Sequence, residues 1–249
     1  MPLAILRTFL KISIIMTMAI SSISFATGQE PALKKKQAMV TQDAVANYYV
    51  LKNHDKQGLF QIWNLETPRV RVQGGFTDNK RSGNWVFFDH AGQIIIRHNY
   101  TLNKLITYDV ENLKAFKITI YDGPDTLNNP EVRLPLVLSP YEIYHNILVN
   151  KIRKKFPTSH HNRKIIDMTI TALVDSSGGA TYNFAYSLYG YHYKVPFRLS
   201  NEMFPLDCLP ARFENKTYNS EVSFTVKYFA GPIGTYSKWR KRAKRDIPG

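Results

Sequence analysis

The last third of the chain passes from a helical to a strand-like spacing of apolar residues. Apolar side chains recur every three or four positions from Tyr141 to Phe156, which places them on one face of a helix. Cations cluster at the end of this run, where they oppose the negative end of the helix, and Pro157 then stops it. The residues that define the apolar face are Tyr141, Ile143, Ile147, Leu148, Ile152 and Phe156.

Three strands are predicted after this helix. Apolar and polar residues alternate over 165–174, a turn follows at 175–179, and a second strand occupies 180–188. A third strand with one buried face is predicted at 222–228. The intervening segment 198–204 is predicted as a second, short helix. The fold class predicted for this part is therefore α+β, with two helices on one face of a small antiparallel sheet.

An earlier region, 48–121, is rich in aromatic and β-branched residues with glycine punctuation, which predicts a β-meander. The segment 58–63 resembles the segment 83–88, which lies 25 positions later, and a degenerate third copy lies at 105–108. Each such hairpin buries its aromatic face only against neighbouring hairpins. Four aromatic residues are therefore interpreted as core, with an exposed strip that holds a sugar or an acyl chain as the alternative. They are Trp63, Trp85, Phe87 and Phe88.

The order of signals over 141–230 resembles the C-terminal domain of TonB and its relatives in bacterial cell-envelope proteins. The matching residues are Phe156-Pro157, Asp175 with Gly178, Pro210-Ala211, Asn215-Lys216 and the strand Val222–Val226. Two features depart from that pattern: His160-His161-Asn162-Arg163 at the entry to the first strand, and Cys208 at a helix-to-strand joint. The resemblance implies an envelope protein that recognises a partner along the edge of its sheet.

The second copy in the earlier region is similar to MORN-type repeats, including variants in bacterial exported and antitoxin-like proteins. The residues that carry this similarity are Gly83, Trp85, Phe88, Asp89, Gly92 and Tyr100. The first and third copies match less well, because Phe60 replaces the tryptophan and Leu105 replaces the glycine. The similarity implies a β-meander of MORN-like hairpins in front of the TonB-C-like domain.

The N-terminus has the pattern of a secretory signal peptide. Arg7 and Lys11 precede an apolar run, and Ser24-Phe25-Ala26 is a small-x-small cleavage site. The mature chain is predicted to begin at Thr27; an uncleaved membrane anchor is the alternative, but the charge-free run is shorter than the ~20 residues that a spanning helix needs. This predicts a periplasmic or secreted protein. The predicted segments are a signal peptide at 1–26, a basic segment at 27–47, the MORN-like region at 48–121, a proline-rich linker at 122–140, the TonB-C-like domain at 141–230 and a basic tail at 231–249.

The charge of the chain adds a second class of partner. The formal net charge is +14, and much of it lies in the tail. Such a tail attracts anionic lipid headgroups or acidic wall polymers, whereas nucleic acid is not the expected partner; the alternative reading is a solvated, disordered end. The tail residues predicted to contact an anionic surface are Lys238, Trp239, Arg240, Lys241, Arg242, Lys244 and Arg245.

Catalytic and metal-binding patterns are sparse. Carboxylates are spread over separate elements, and no nucleophile or phosphate-loop motif is present. The single cysteine, Cys208, excludes an intramolecular disulfide; a buried thiol is predicted, with an intermolecular bridge as the alternative. No enzyme, cofactor or metal is therefore predicted. A hydrolase remains the competing hypothesis, for which His145, His160 and Asp167 would have to gather in one pocket.

These observations predict a non-enzymatic binding module of the bacterial cell envelope. Its partner is an envelope protein, or a second copy of the chain, bound along the final strand. That strand is the edge of the sheet in TonB-like domains, and an edge offers unpaired backbone N–H and C=O groups. The residues predicted to bind the partner are Glu221, Ser223, Thr225 and Lys227. Binding to an anionic membrane or wall polymer through the basic tail is the alternative.

Overall fold

The computed structural model describes residues 32–156, 164–200 and 203–230. The chain divides into two compact units, Met1–Ala32 and Leu33–Gly249, and every element below belongs to the second. The predicted signal peptide and basic tail lie outside the described residues, as do His160 and His161.

The first sheet is a seven-stranded antiparallel meander in which each strand pairs with the next one along the chain. A two-residue turn at Asp78-Asn79 joins the fourth and fifth strands, and both residues have positive φ, the conformation that tight hairpins require. The strands are β1 (Lys34–Met39), β2 (Ala44–Val50), β3 (Lys56–Asn64), β4 (Val70–Thr77), β5 (Lys80–Phe88), β6 (Ile94–Asn99) and β7 (Lys104–Tyr108).

A short 3₁₀ helix (Val110–Leu113) leads from this meander to the remaining elements, which are a second seven-stranded sheet, a small two-stranded sheet of Leu136–Val137 with Cys208–Leu209, and one α-helix. These elements are β8 (Lys117–Asp122), β9 (Asp125–Thr126), β10 (Leu136–Val137), α1 (Tyr141–Lys155), β11 (Lys164–Val174), β12 (Ala180–Leu188), β13 (Tyr191–Phe197), β14 (Cys208–Leu209), β15 (Ala211–Phe213) and β16 (Lys216–Ala230). The strand order is β13-β12-β11-β16-β8-β9, β15 also pairs with β16, and all the pairings are antiparallel. The long strand β16 therefore lies in the interior of the sheet.

Helix α1 connects the cores of the two sheets. It begins after Pro140, carries Glu142 in its first turn and has three cations in its last, as the helix dipole favours. Ile143 and Ile147 pack into the core of the first sheet, whereas Tyr144, Leu148 and Ile152 pack against the second. The predicted helix is confirmed, and one amphipathic element joins both halves of the second unit.

The predicted α+β class with two helices is wrong, because the chain is mostly β. Among the described residues α1 is the single α-helix, and the described part of 198–204 contains no helix. The segment before it, Tyr191–Phe197, for which no element was predicted, is the strand β13, with Tyr193, Val195 and Phe197 at every second position. Aromatic and β-branched residues at that spacing suit a pleated surface better than a helix.

The sheets also extend beyond the predicted regions. The meander begins at Lys34, and β8, at the end of the predicted MORN-like region, pairs with β16 in the second sheet. The proline-rich segment 122–140 includes the buried residues Val132, Leu136 and Leu138. The second half of this segment, from Val132 onward, is therefore packed into the core, whereas 122–131 is mostly exposed.

The aromatic residues of the meander divide between its two faces. Trp85 and Phe87 are fully buried, which confirms their predicted place in the core. Trp63 and Phe88 are half-buried, and Trp63 pairs with Val45 and Val70 on the face that points away from the core. The core interpretation is wrong for Trp63, because it lies an odd number of positions from Phe60 and Ile62, which are buried in the same strand.

Candidate functional site

The four residues predicted to bind a partner all lie on β16 but have different neighbours. Glu221 and Ser223 are paired on both sides, with Leu173 and Thr171 of β11 and with Thr119 and Lys117 of β8. The premise of an edge position is therefore wrong for these two residues. The reason is that β8 comes from an earlier part of the chain and covers this section of the strand.

Thr225 and Lys227 lie on the part of β16 that extends past β8. Each pairs with β11, opposite Thr169 and Asp167, but no described strand pairs with the other side of β16 after Ser223. Both side chains are exposed. The open edge expected of the final strand is therefore confined to its last seven residues, 224–230.

An exposed pair of apolar residues lies at this end of the sheet. Phe229 and Ile165 face each other across β16 and β11, with 57% and 67% of their surfaces exposed. The alternate residues Ile166, Val226 and Tyr228 are buried against α1. The section of β16 after Ser223 thus has a covered face, an exposed face with an apolar end, and one unpaired side.

Two of the three residues proposed for a hydrolase site, His145 and Asp167, are described, and they lie in different surroundings; His160 lies outside the described residues. The imidazole of His145 contacts Asn146, Tyr141 and Phe224 on α1 and β16, whereas Asp167 lies on the exposed face of β11. Within the described ranges no three His, Cys, Asp or Glu side chains lie close enough together to hold a metal ion. No helix in the described part of the chain has the length and apolar character needed to cross a membrane.

Cys208 is buried, as predicted, and belongs to the core of the second sheet. Burial raises the pKa of its thiol to about 12, so the thiol stays protonated at neutral pH. The carbonyl oxygen of Cys208 also lies 2.5 Å from where a Cβ of Gly178 would be, which explains why glycine occupies this turn. These contacts give the cysteine a packing role.

A partly buried polar cluster, which the sequence analysis did not identify, links the two halves. Arg81 Nη1 donates to Asp207 Oδ2 at 2.7 Å and to the Tyr100 hydroxyl at 2.6 Å, and Nη2 donates to the Pro205 carbonyl at 2.6 Å. The Tyr100 hydroxyl in turn donates to Asp207 Oδ2 at 2.7 Å. Arg81 and Asp207 are 126 positions apart, so no local motif could have indicated this contact.

Aromatic rings enclose the guanidinium of this cluster. It lies 4.7 Å from the ring centroid of Trp85 and 4.5 Å from that of Phe204, and the Arg81 side chain is only 8% exposed. Burial raises the pKa of Tyr100, so its hydroxyl remains a hydrogen-bond donor at physiological pH. Because every described partner of these groups is within the protein, the cluster supports the joint between the two halves.

His98 lies beside this cluster and is 2% exposed. The centroids of the His98 and Tyr100 rings are 4.7 Å apart. Among the described residues, neither ring nitrogen of His98 has a hydrogen-bond partner. Burial lowers the pKa of His98, and Arg133 and Arg81 lower it further, whereas Asp207 raises it. The neutral imidazole is thus the form that the folded protein favours.

Acidification is therefore expected to destabilise the protein through His98. In the folded protein the pKa of His98 is below its ordinary value of 6.5. The stability that the neutral ring contributes is therefore fully present above pH 6.5, and it is lost as the pH falls from 6.5 through the folded pKa. Thermal unfolding measured between pH about 8 and about 5 should show this loss. The His98→Phe variant, which keeps an aromatic ring without a titratable group, should lose less stability over that range. Equal pH dependence of the two proteins would contradict the assignment.

Comparison with known proteins identifies no relative. No family model matches the chain, and no curated protein or solved structure is significantly similar to it. The resemblances to TonB C-terminal domains and to MORN repeats therefore remain hypotheses that rest on the residues quoted above.

Proposed function

We propose that the protein is an exported, non-enzymatic binding module of the bacterial cell envelope. It recognises a protein partner by adding a strand of that partner to the open side of β16. The signal-peptide pattern at 1–26 and the resemblance to TonB C-terminal domains favour the compartment. The strand pairing of β16 supports the mode of recognition.

The single observation that carries this proposal is the one-sided pairing of β16 after Ser223. A strand with one unpaired side presents a row of N–H and C=O groups that can pair with an extended peptide. The neighbouring Phe229 and Ile165 add exposed apolar surface for side chains of the incoming strand. Lys227 lies in the same stretch, and a lysine on an open edge discourages unspecific pairing.

Site-directed photo-crosslinking tests this mode of binding. A photoreactive amino acid is placed at Thr225, and the full chain is irradiated in an extract of the bacterial envelope. We expect this position to give one dominant crosslinked product, which still forms when the extract is irradiated at high salt. The matched control carries the same group at Lys194, an exposed residue of the edge strand β13, and should give no such adduct.

A second variant measures the contribution of the apolar end. Phe229→Asp should weaken capture of the crosslinked partner about tenfold, because one exposed aromatic anchor contributes more than 1 kcal/mol at an interface. Tyr191→Asp, which changes an even more exposed aromatic residue on β13, serves as the control. Equal loss in both variants, or equal adducts from Thr225 and Lys194, would contradict recognition at β16.

The net charge of +14 favours a second candidate function, attachment to an anionic membrane or wall polymer through the basic tail. The tail residues, 238–245, lie outside the described structure. Deletion of 238–249 and raised salt distinguish the two candidates, because charge-driven binding is screened over about 10 Å at 0.1 M salt. Capture that survives both changes favours β16, and capture lost under both favours the tail.

A further inference from the structure

The outer face of the first sheet, which points away from α1 and the core, carries a row of side-chain amides. Gln37, Asn47, Gln61 and Gln73 occupy directly paired positions on β1, β2, β3 and β4. Paired residues share a face, and neighbours such as Ala46 and Ile62 are buried on the opposite side. Since adjacent strands are about 4.8 Å apart, the four amides extend over about 14 Å.

Hydrogen bonds within the sheet fix this amide row in place. Gln37 donates to Asn47 at 2.8 Å, and Gln61 donates to Gln73 at 2.9 Å. Asn99 donates to Asn84 at 2.6 Å and forms a further amide pair. This pair lies on the same face as the row, because Asn84 is two positions from Val86 on β5 and Val86 pairs with Gln73. Each amide has two N–H donors and an acceptor oxygen, so every pair retains groups that can bind a ligand.

Partly exposed apolar side chains border the amide row on both sides. The indole of Trp63 donates to Gln61 at 3.3 Å, which holds its ring beside the row. Leu59, on the other side of Gln61, is 45% exposed, and Tyr49 lies two positions from Asn47 on β2. Aromatic rings next to ordered amides provide both the flat apolar surface and the polar groups that a sugar ring requires.

The charged residues in the strands of the first sheet are all positive. None of its seven strands contains an aspartate or a glutamate, although they contain lysines and arginines. On the outer face Lys35 pairs with Tyr49, Arg97 pairs with Val86, and Lys104 pairs with Asn99. The exposed face of the second sheet differs, because it presents Asp167 as well as Lys227. The strands of the first sheet thus carry charge of one sign, which is complementary to a negatively charged ligand.

We infer that this outer face binds a linear acidic polysaccharide, laid across the strands along the amide row. The amides bind ring hydroxyls, Trp63 packs against the C–H face of a sugar, and Lys35 and Arg97 pair with carboxylates of the chain. The cations are few and separated by neutral amides, which suits a polymer with hydroxyls on every ring better than the dense phosphates of nucleic acid. This surface is separate from the open side of β16 and independent of the proposal made for it.

Calorimetric titration with an oligogalacturonate, a linear chain with a carboxylate on every ring, tests the inference. The full chain should bind it saturably and should not bind dextran, which is neutral. Trp63→Ala and Arg97→Gln should each weaken binding about tenfold, or 1.4 kcal/mol. Lys227→Gln, which removes a cation from the exposed face of the second sheet, is the matched control and should leave binding unchanged.

Further variants separate this face from other sources of affinity. Trp63→Phe keeps an aromatic ring and should bind better than Trp63→Ala, which distinguishes a lost contact from a misfolded sheet. Deletion of 238–249 should leave the affinity unchanged. The inference is overturned if binding is absent, if tail deletion or Lys227→Gln abolishes it, or if single-stranded DNA or anionic vesicles bind as tightly as the oligosaccharide.

Discussion

Replacing Asp207 with asparagine is expected to lower the free energy of unfolding by about 2–3 kcal/mol, because it leaves the buried Arg81 guanidinium without a counter-charge. Arg81 is 8% exposed, and its other described contacts are the neutral Tyr100 hydroxyl, the Pro205 carbonyl and aromatic rings. Asp207 is 44% exposed, which sets the expected cost below that of a fully buried pair. The measurement is urea unfolding of the full chain followed by tryptophan fluorescence.

An exposed ion pair in the same protein provides the matched control for this substitution. Lys216 and Asp122 are also 2.7 Å apart, but their side chains are 60% and 48% exposed. Asp122→Asn should therefore cost much less stability than Asp207→Asn, since solvent screens such pairs. If the two aspartate variants lose equal stability, the enclosure of Arg81 does not determine the strength of its ion pair, and the cluster has no special role at the joint.

The sequence patterns locate elements well where the signal is local. The apolar spacing over 141–156 predicts α1, and the alternation over 165–174 predicts β11, because one face of each is buried against a continuous core. The segment that precedes 198–204 is the counterexample. Tyr191–Phe197 follows a turn at Tyr189-Gly190 with positive φ at both residues, and this hairpin extends the sheet.

Strand neighbours that come from distant parts of the chain were not predictable from local patterns. No pattern in Lys117–Asp122 indicates that it pairs with β16, yet this pairing moves Glu221 and Ser223 into the interior of the sheet. In the same way, Arg81 and Asp207 meet only because α1 and the segment before β14 bring the two halves together. The predicted open edge therefore covered too long a section of this strand, and binding of a partner along its unpaired part stays a prediction.

Gly74→Ala is expected to destabilise the protein by about 3 kcal/mol or more, through overpacking of the first core. A Cβ at position 74 would lie 2.1 Å from Cδ2 of Trp85 and 2.3 Å from Cε2, well inside van der Waals contact. The indole cannot turn away freely, because its N–H donates to the Gly75 carbonyl at 3.2 Å and its ring packs against Phe60 and Phe76. Thermal unfolding should show a lower Tm and a loss of the near-ultraviolet signal of the tryptophan.

The neighbouring glycine separates this clash from the general cost of placing alanine in a strand. A Cβ at Gly75 would meet its nearest atom, the Ser82 carbonyl oxygen, at an ordinary 3.7 Å, so Gly75→Ala should change the free energy of unfolding by less than about 1 kcal/mol. Trp85→Leu removes the ring that Gly74→Ala would strike. The double variant should therefore be more stable than the two single effects predict, with a coupling of about 1–3 kcal/mol. Strict additivity would show instead that Gly74 is required for a reason other than its contact with Trp85.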